Sequence, residues 1–148
     1  MSPRPAPSSP QAGARLARQR RTGTAPEMAL RRAVHRMGLR YAVDAPLPLP
    51  GTRRRADLLF VGPKIAVFVD GCYWHGCPTH GSRPKSNADW WADKLASNAR
   101  RDADTDRRLS DAGWLALRFW EHTDPGAAAV AVHDAVSARR RPPRRAVR

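Results

Sequence analysis

The chain has 148 residues, enough for one domain with a moderate apolar core and too few for two. Its formal net charge is +14, from 27 lysines and arginines against 13 acids, which excludes an acidic solvating protein and points to an anionic polymer or surface as partner. No apolar run approaches the roughly 20 residues of a membrane span and no hydrophobic signal segment is present, so a cytoplasmic protein with no membrane role is expected.

The charge is unevenly spread. Residues 1–26 carry five arginines and no acid, residues 139–148 carry six arginines and no acid, and 16 basic and 13 acidic side chains remain for 27–138. The organisation expected is a basic N-terminal arm over 1–23, a near-neutral folded domain over 24–138 and an arginine-rich tail over 139–148, with the arms ordering only against phosphates.

Thr24-Ala25-Pro26-Glu27 has the form of a capping box, and Leu30, Ala33, Val34 and Met37 then share one helical face before Gly38, which predicts a helix over about 25–37. Residues 40–50 are proline-punctuated and extended. Ala56 to Val61 and Ile65 to Val69 are β-rich runs separated by Gly62-Pro63, read as an antiparallel hairpin following an edge strand. A glycine- and proline-broken loop over 71–88 leads to a long helix from about Asp89 to Ala112. Along it Trp91, Leu95, Asn98, Asp102, Thr105 and Leu109 recur at helical spacing until Gly113. Trp114 to Trp120 reads as a buried strand and Ala127 to Arg139 as a last helix. The order α-β-β-β-α-β-α is that of an α/β domain with a central mixed sheet flanked by helices.

Asp57 sits between Ala56 and Leu58-Leu59-Phe60, where a carboxylate is costly to bury unless it is paired or holds a cation. Magnesium is the economical explanation: phosphodiester hydrolysis uses a hard cation to polarise the phosphoryl group, lower the pKa of a water and stabilise the leaving oxygen. A surface aspartate at a strand start is the bland alternative, and Asp70 at the end of the neighbouring strand weighs against it. Cys72 and Cys77 are the only cysteines. With His80 they have a loop spacing that tetrahedral zinc accepts, and either His75 or His122 could complete the set. Tyr73-Trp74 and Trp90-Trp91 lie where no hydrophobic period demands them, which suits stacking on bases or wedging between them, with packing over the zinc loop as the alternative. Lys94, Arg100 and Arg101 could reach phosphates from the long helix.

These residues together closely resemble the very short patch repair (Vsr) mismatch endonucleases. The resemblance runs over about residues 14–122 in separated motifs: the Thr-Ala-Pro-Glu helix, Arg-Ala-Asp57-Leu, Phe-Val-Asp-Gly-Cys-Tyr-Trp-His-Gly-Cys-Pro-x-His, Asn87, Trp91-x-x-Lys94-x-x-x-Asn98-x-x-Arg101-Asp102, Leu109-x-x-x-Gly113-Trp114 and Arg118-x-Trp120-Glu121. It implies a restriction-endonuclease-like core that nicks one strand of duplex DNA beside a T opposite G, the lesion left by deamination of 5-methylcytosine. By the same resemblance Asp57 and the backbone carbonyl of Val69 are magnesium ligands, and His75 assists water or phosphate. Asp70 occupies a neighbouring catalytic position that is histidine in some members, and Glu27 matches an acid near the active site. Cys72, Cys77, His80 and His122 align with the structural zinc ligands, the last position often being cysteine in the family. Tyr73, Trp74 and Trp91 match rings inserted beside the mismatch, Leu16 stands where an N-terminal wedge is found, and Lys94, Asn98 and Arg101 are the remaining DNA contacts. A monomer is expected, since cutting one strand needs one active site, with repair-system proteins as potential partners.

Overall fold

The computed structural model describes residues 24–71 and 87–140. Three helices, α1 (Ala25–Arg36), α2 (Ala88–Asp111) and α3 (Pro125–Arg140), accompany four strands, β1 (Ala42–Pro46), β2 (Arg55–Phe60), β3 (Ile65–Asp70) and β4 (Leu115–Trp120). The chain order is the α-β-β-β-α-β-α expected. The strands form one sheet in the order β1-β2-β3-β4. β1 and β2 pair antiparallel, as do β2 and β3, whereas β3 and β4 run parallel from Ile65↔Leu115 to Asp70↔Trp120. A parallel pair needs a crossover, and α2 lies within it.

The sheet is covered on both faces. Leu30 and Val34 of α1 and Ala128, Ala129, Val132 and Val136 of α3 pack with Leu58, Phe60, Ile65 and Val67 on one side. On the other, Leu109 of α2 packs with Ala45, Leu59, Ala66 and Phe68. Each fully buried Leu, Ile, Val or Phe contributes roughly 1.5–3 kcal/mol over exposure, so these two layers hold the fold. α2 buries Trp91, Asn98, Thr105 and Leu109, four of the residues whose spacing predicted it.

Four local expectations are revised. Thr24 caps α1 without a side-chain hydrogen bond, because Glu27 points inward to Arg31 and leaves the capping box unmade. Met37 is exposed, since the helix ends at Arg36 before the stripe returns to the core. β4 is half-buried throughout, because among the described residues it has a strand on one side only. α3 begins at Pro125, two residues early: the Asp124 carboxylate accepts the Ala127 N–H at 2.9 Å and proline is preformed for a first helical position. Gly38 and Gly113 follow α1 and α2 at φ +83°, the left-handed position that glycine takes without strain. No helix among the described residues is long and apolar enough to cross a membrane.

Candidate active site

Asp57 lies where the strand pattern breaks. Ala56 packs with the layer under α2 and Leu58 with the layer under α1 and α3, although residues two apart on a regular strand face the same way. The irregularity is shared with β1: Val43↔Leu58 and Ala45↔Ala56 pair, while Asp44, opposite Asp57, has φ 43°. Arg55 holds that kink, donating from Nε and Nη2 to the Asp44 carbonyl at 3.0 and 2.7 Å. The β2–β3 pairing runs from Phe60↔Ile65 to Leu58↔Val67. Beyond it the Val69 N–H donates to Asp57 Oδ2 at 2.7 Å, so the carboxylate stands in for a main-chain acceptor.

Two more acids gather there. Glu27, 2% exposed in the first turn of α1, pairs with Arg31 one turn on, and Asp70 ends β3. Burial pushes the Asp57 carboxyl up to about 6; the Val69 hydrogen bond opposes that rise, the Glu27 and Asp70 charges add to it, and Arg31 counters it. Arg31 is held in turn, its carbonyl accepting the Tyr41 hydroxyl at 2.7 Å. Among the described residues, Arg31 Nε has no hydrogen-bond partner. The structure therefore brings together Glu27, Asp57, Val69 and Asp70 of the residues expected at the catalytic centre.

Asp70 is also tied to β4 and α2. Its carbonyl accepts the Glu121 N–H at 2.9 Å, and its carboxylate receives Arg118 Nη1 at 3.1 Å. Arg118 Nε reaches both Asp106 oxygens at 2.9 and 3.0 Å, Nη1 stands 3.7 Å from Asp102 Oδ1, and the guanidinium lies 4.2 Å from the centre of the Phe68 ring. Burial alone would lower the Arg118 pKa, but the Asp106 hydrogen bond and the three surrounding carboxylates turn the net shift upward.

On α2, Trp91 is buried and edge-on to Trp90 with ring centres 4.9 Å apart; Asn98 is buried, Lys94 half-buried and Arg101 exposed. His122 is exposed just past β4, its ring parallel to Trp120 with centres 6.5 Å apart. Leu16, Cys72, Tyr73, Trp74, His75, Cys77 and His80 lie outside the described residues. Among the described residues, no group of three or more His, Cys, Asp or Glu is arranged to hold a metal ion. Sequence reasoning gave no role to Arg31, and it saw Arg118 only as a letter in a motif. The available signal was a guanidinium in the alternation Trp114-x-Ala116-x-Arg118, with Asp102 and Asp106 one helical turn apart on α2.

Comparison with known proteins converges on one family. The family profile described as DNA mismatch endonuclease Vsr matches residues 10–80. The chain is 43% identical over 131 residues to the type II nicking enzyme V.NaeI of Lentzea aerocolonigenes, covering 88% of this chain and 79% of that protein. It is 38% identical to V.NmeDIP of Neisseria meningitidis serogroup C, covering 68% and 66%, and 36% identical to V.XorIIP of Xanthomonas oryzae pv. oryzae, covering 69% and 73%. Both are likewise named type II nicking enzymes.

Proposed function

Since this chain belongs to the Vsr family of DNA mismatch endonucleases, we propose that it nicks one strand of duplex DNA beside a T opposite G, by magnesium-dependent hydrolysis of a phosphodiester on a restriction-endonuclease-like core. The observation that carries this reading is the half-buried Asp57 carboxylate, raised to about 6 by desolvation and by the nearby Glu27 and Asp70 charges. Related chains named as nicking enzymes support the one-strand cut.

The donor chemistry fits magnesium, which takes oxygen ligands and is usually held by one or two carboxylates together with substrate phosphates rather than by an all-protein cage. Crowded acids at this site favour a bound cation for the same reason that they raise Asp57. Asp57 and the Val69 carbonyl would hold the ion, which when bound supplies a polarised phosphate and a more acidic water. His75 orients the attacking water or relays its proton, Asp70 borders the reacting phosphate, and Glu27 and Arg31 together set the charge around Asp57. Tyr73, Trp74 and Trp91, with Leu16 from the N-terminal arm, wedge the mismatched step. A T·G pair costs less to distort than a matched pair, which is the physical source of selectivity. On α2, Lys94 and Arg101 are the accessible candidates for DNA contact, whereas Asn98 lies on the buried stripe.

Cys72, Cys77, His80 and His122 would hold a structural zinc. The Asp70↔Trp120 pairing supports this set, because it brings the start of the cysteine segment at Gly71 beside the Glu121-His122 end of β4. A DNA substrate would place the enzyme in the cytoplasm, on the nucleoid.

The deciding experiment is nicking of strand-labelled duplexes carrying T:G or C:G at one position, with and without magnesium. A cut confined to the T strand of the T:G duplex and dependent on magnesium is the expected result. Equal cutting of both duplexes would remove the mismatch preference, and binding with no cut under any metal condition would remove the catalytic reading.

A further inference from the structure

We infer that Arg118 is a positioning residue for this nuclease: from β4 it fixes the Asp70 carboxylate, one residue past the Val69 amide that holds Asp57, and locks that end of the sheet to α2, the helix that bears the DNA-contact candidates. The inference rests on the proposed function and goes beyond it, because no reading of the sequence gives Arg118 a role.

Three observations carry it. Arg118 faces the α2 side of the sheet, its guanidinium 4.2 Å from the Phe68 ring centre, so it is braced on an apolar platform two residues before Asp70 in β3. Its donors divide between the two structures it joins: Nη1 to Asp70 Oδ1 at 3.1 Å on the sheet, Nε and Nη2 to Asp106 at 2.9 and 2.8 Å on the helix. The fork also reaches the Asp102 carbonyl from Nη2 at 3.5 Å, so two successive turns of α2 are engaged. A planar, permanently charged fork can satisfy several oxygens in fixed directions, which a lysine ammonium cannot. An acid held this way keeps its geometry when DNA presses on α2, and a shift of α2 is passed to Asp70 through one side chain.

The readout is the single-turnover nicking rate at saturating enzyme, set against the Kd for the same duplex measured without metal. Arg118→Met should slow nicking about 100-fold, the scale of a roughly 1 Å misplacement, while Kd changes less than about threefold. Arg118→Lys should recover about tenfold of that loss, since charge returns without the fork. Asp106 has a side chain 40% exposed and stands on α2 rather than on the strands that carry Asp57 and Asp70; Asp106→Asn should slow nicking about fivefold and add nothing to Arg118→Met, as expected of two residues acting through one contact. Arg54→Gln serves as the control, because Arg54 ties α2 to the start of β2 through Asp104 at 2.7 Å and Thr105 at 2.9 Å. It should lower the melting temperature and leave the rate within about twofold.

A folded Arg118→Met enzyme with a near wild-type rate overturns the inference, as does a loss carried by Kd or an equal slowing by Arg54→Gln. Should Arg118→Met fail to fold, an unaltered rate in Asp106→Asn overturns it. Wild-type protein that nicks neither duplex overturns the functional reading and this inference with it, whereas active wild type with an indifferent Arg118 overturns this inference alone.

Discussion

The Val69 amide and the Asp57 carboxylate meet at 2.7 Å where β2 and β3 cease to pair. One contact thus does two jobs. It satisfies a strand amide that has lost its ladder partner, and it fixes the orientation of the acid on which the proposed chemistry depends. The rise of the Asp57 pKa despite this favourable hydrogen bond shows that burial and the neighbouring acids outweigh it.

The first prediction follows from that balance. A carboxyl at about 6 in the folded chain, against 3.8 ordinarily, keeps a proton between about pH 4 and 6 that the unfolded chain has released. Stability of the metal-free protein therefore falls as pH rises through this window, by about 2–3 kcal/mol from this group, and stays at the lower level above it. Asp57→Asn keeps an acceptor for the Val69 amide and loses the charge. Thermal melts should show it more stable than wild type at pH 7.5, with a flatter pH profile, and inactive in nicking. Parallel melting curves for the two proteins would refute the linkage.

A second prediction concerns the buried Glu27 and the half-buried Arg31 one turn on. Glu27→Ala leaves that guanidinium without its carboxylate and should cost about 1–3 kcal/mol in denaturant unfolding. It should also lower the Asp57 pKa, because one repelling charge is gone, shifting the acid limb of the nicking profile downward. An unfolding midpoint close to wild type would show that water already compensates Arg31.

Zinc gives the third. Metal analysis should find one zinc per chain, and Cys77→Ser should release it and lower the melting temperature. His122→Ala should release it as well, while His75→Ala should keep the metal and slow nicking. Zinc lost from His75→Ala and retained in His122→Ala would transfer the fourth ligand to the local segment.

A fourth prediction separates charge from shape. Truncation after Arg140 removes four arginines and should flatten log affinity against log salt by up to about 0.9 for each arginine that neutralises a phosphate. Matched and T:G duplexes should weaken alike. Replacing Tyr73 and Trp74 with alanine should instead erode the T:G preference at an unaltered salt slope. The reverse pattern in a filter-binding or anisotropy titration would exchange the roles of tail and rings.

The element order was readable because each segment announces itself locally: a 3.6-residue period before Gly38 and Gly113, β-rich runs around Gly62-Pro63, a carboxylate among apolar neighbours at Asp57. What stayed hidden depends on partners distant in sequence. The break in alternation at Asp57 depends on Asp44 adopting φ 43° in the neighbouring strand. The work of Arg118 depends on Asp70 and Asp106, which are 48 and 12 residues away. Glu27 showed a different failure, since one local rule, the capping box, described a side chain that another local contact, the pair with Arg31 one turn along the same helix, had taken.

Arg139 donates to the carbonyls of Pro63 at 2.7 Å and Gly113 at 2.6 Å, fastening the end of α3 to the turn before β3 and the entry to β4. Both anchors stand at the pole of the sheet opposite Asp70. The six residues of β3 set the separation at roughly 17 Å, about five base pairs along a duplex. On the proposed reading, residues 141–148 are tethered at that remove from the acid that would border the reacting phosphate. Eight residues at up to about 3.6 Å each exceed this gap, so a basic tail tied there would lengthen the stretch of duplex whose phosphates the enzyme can neutralise.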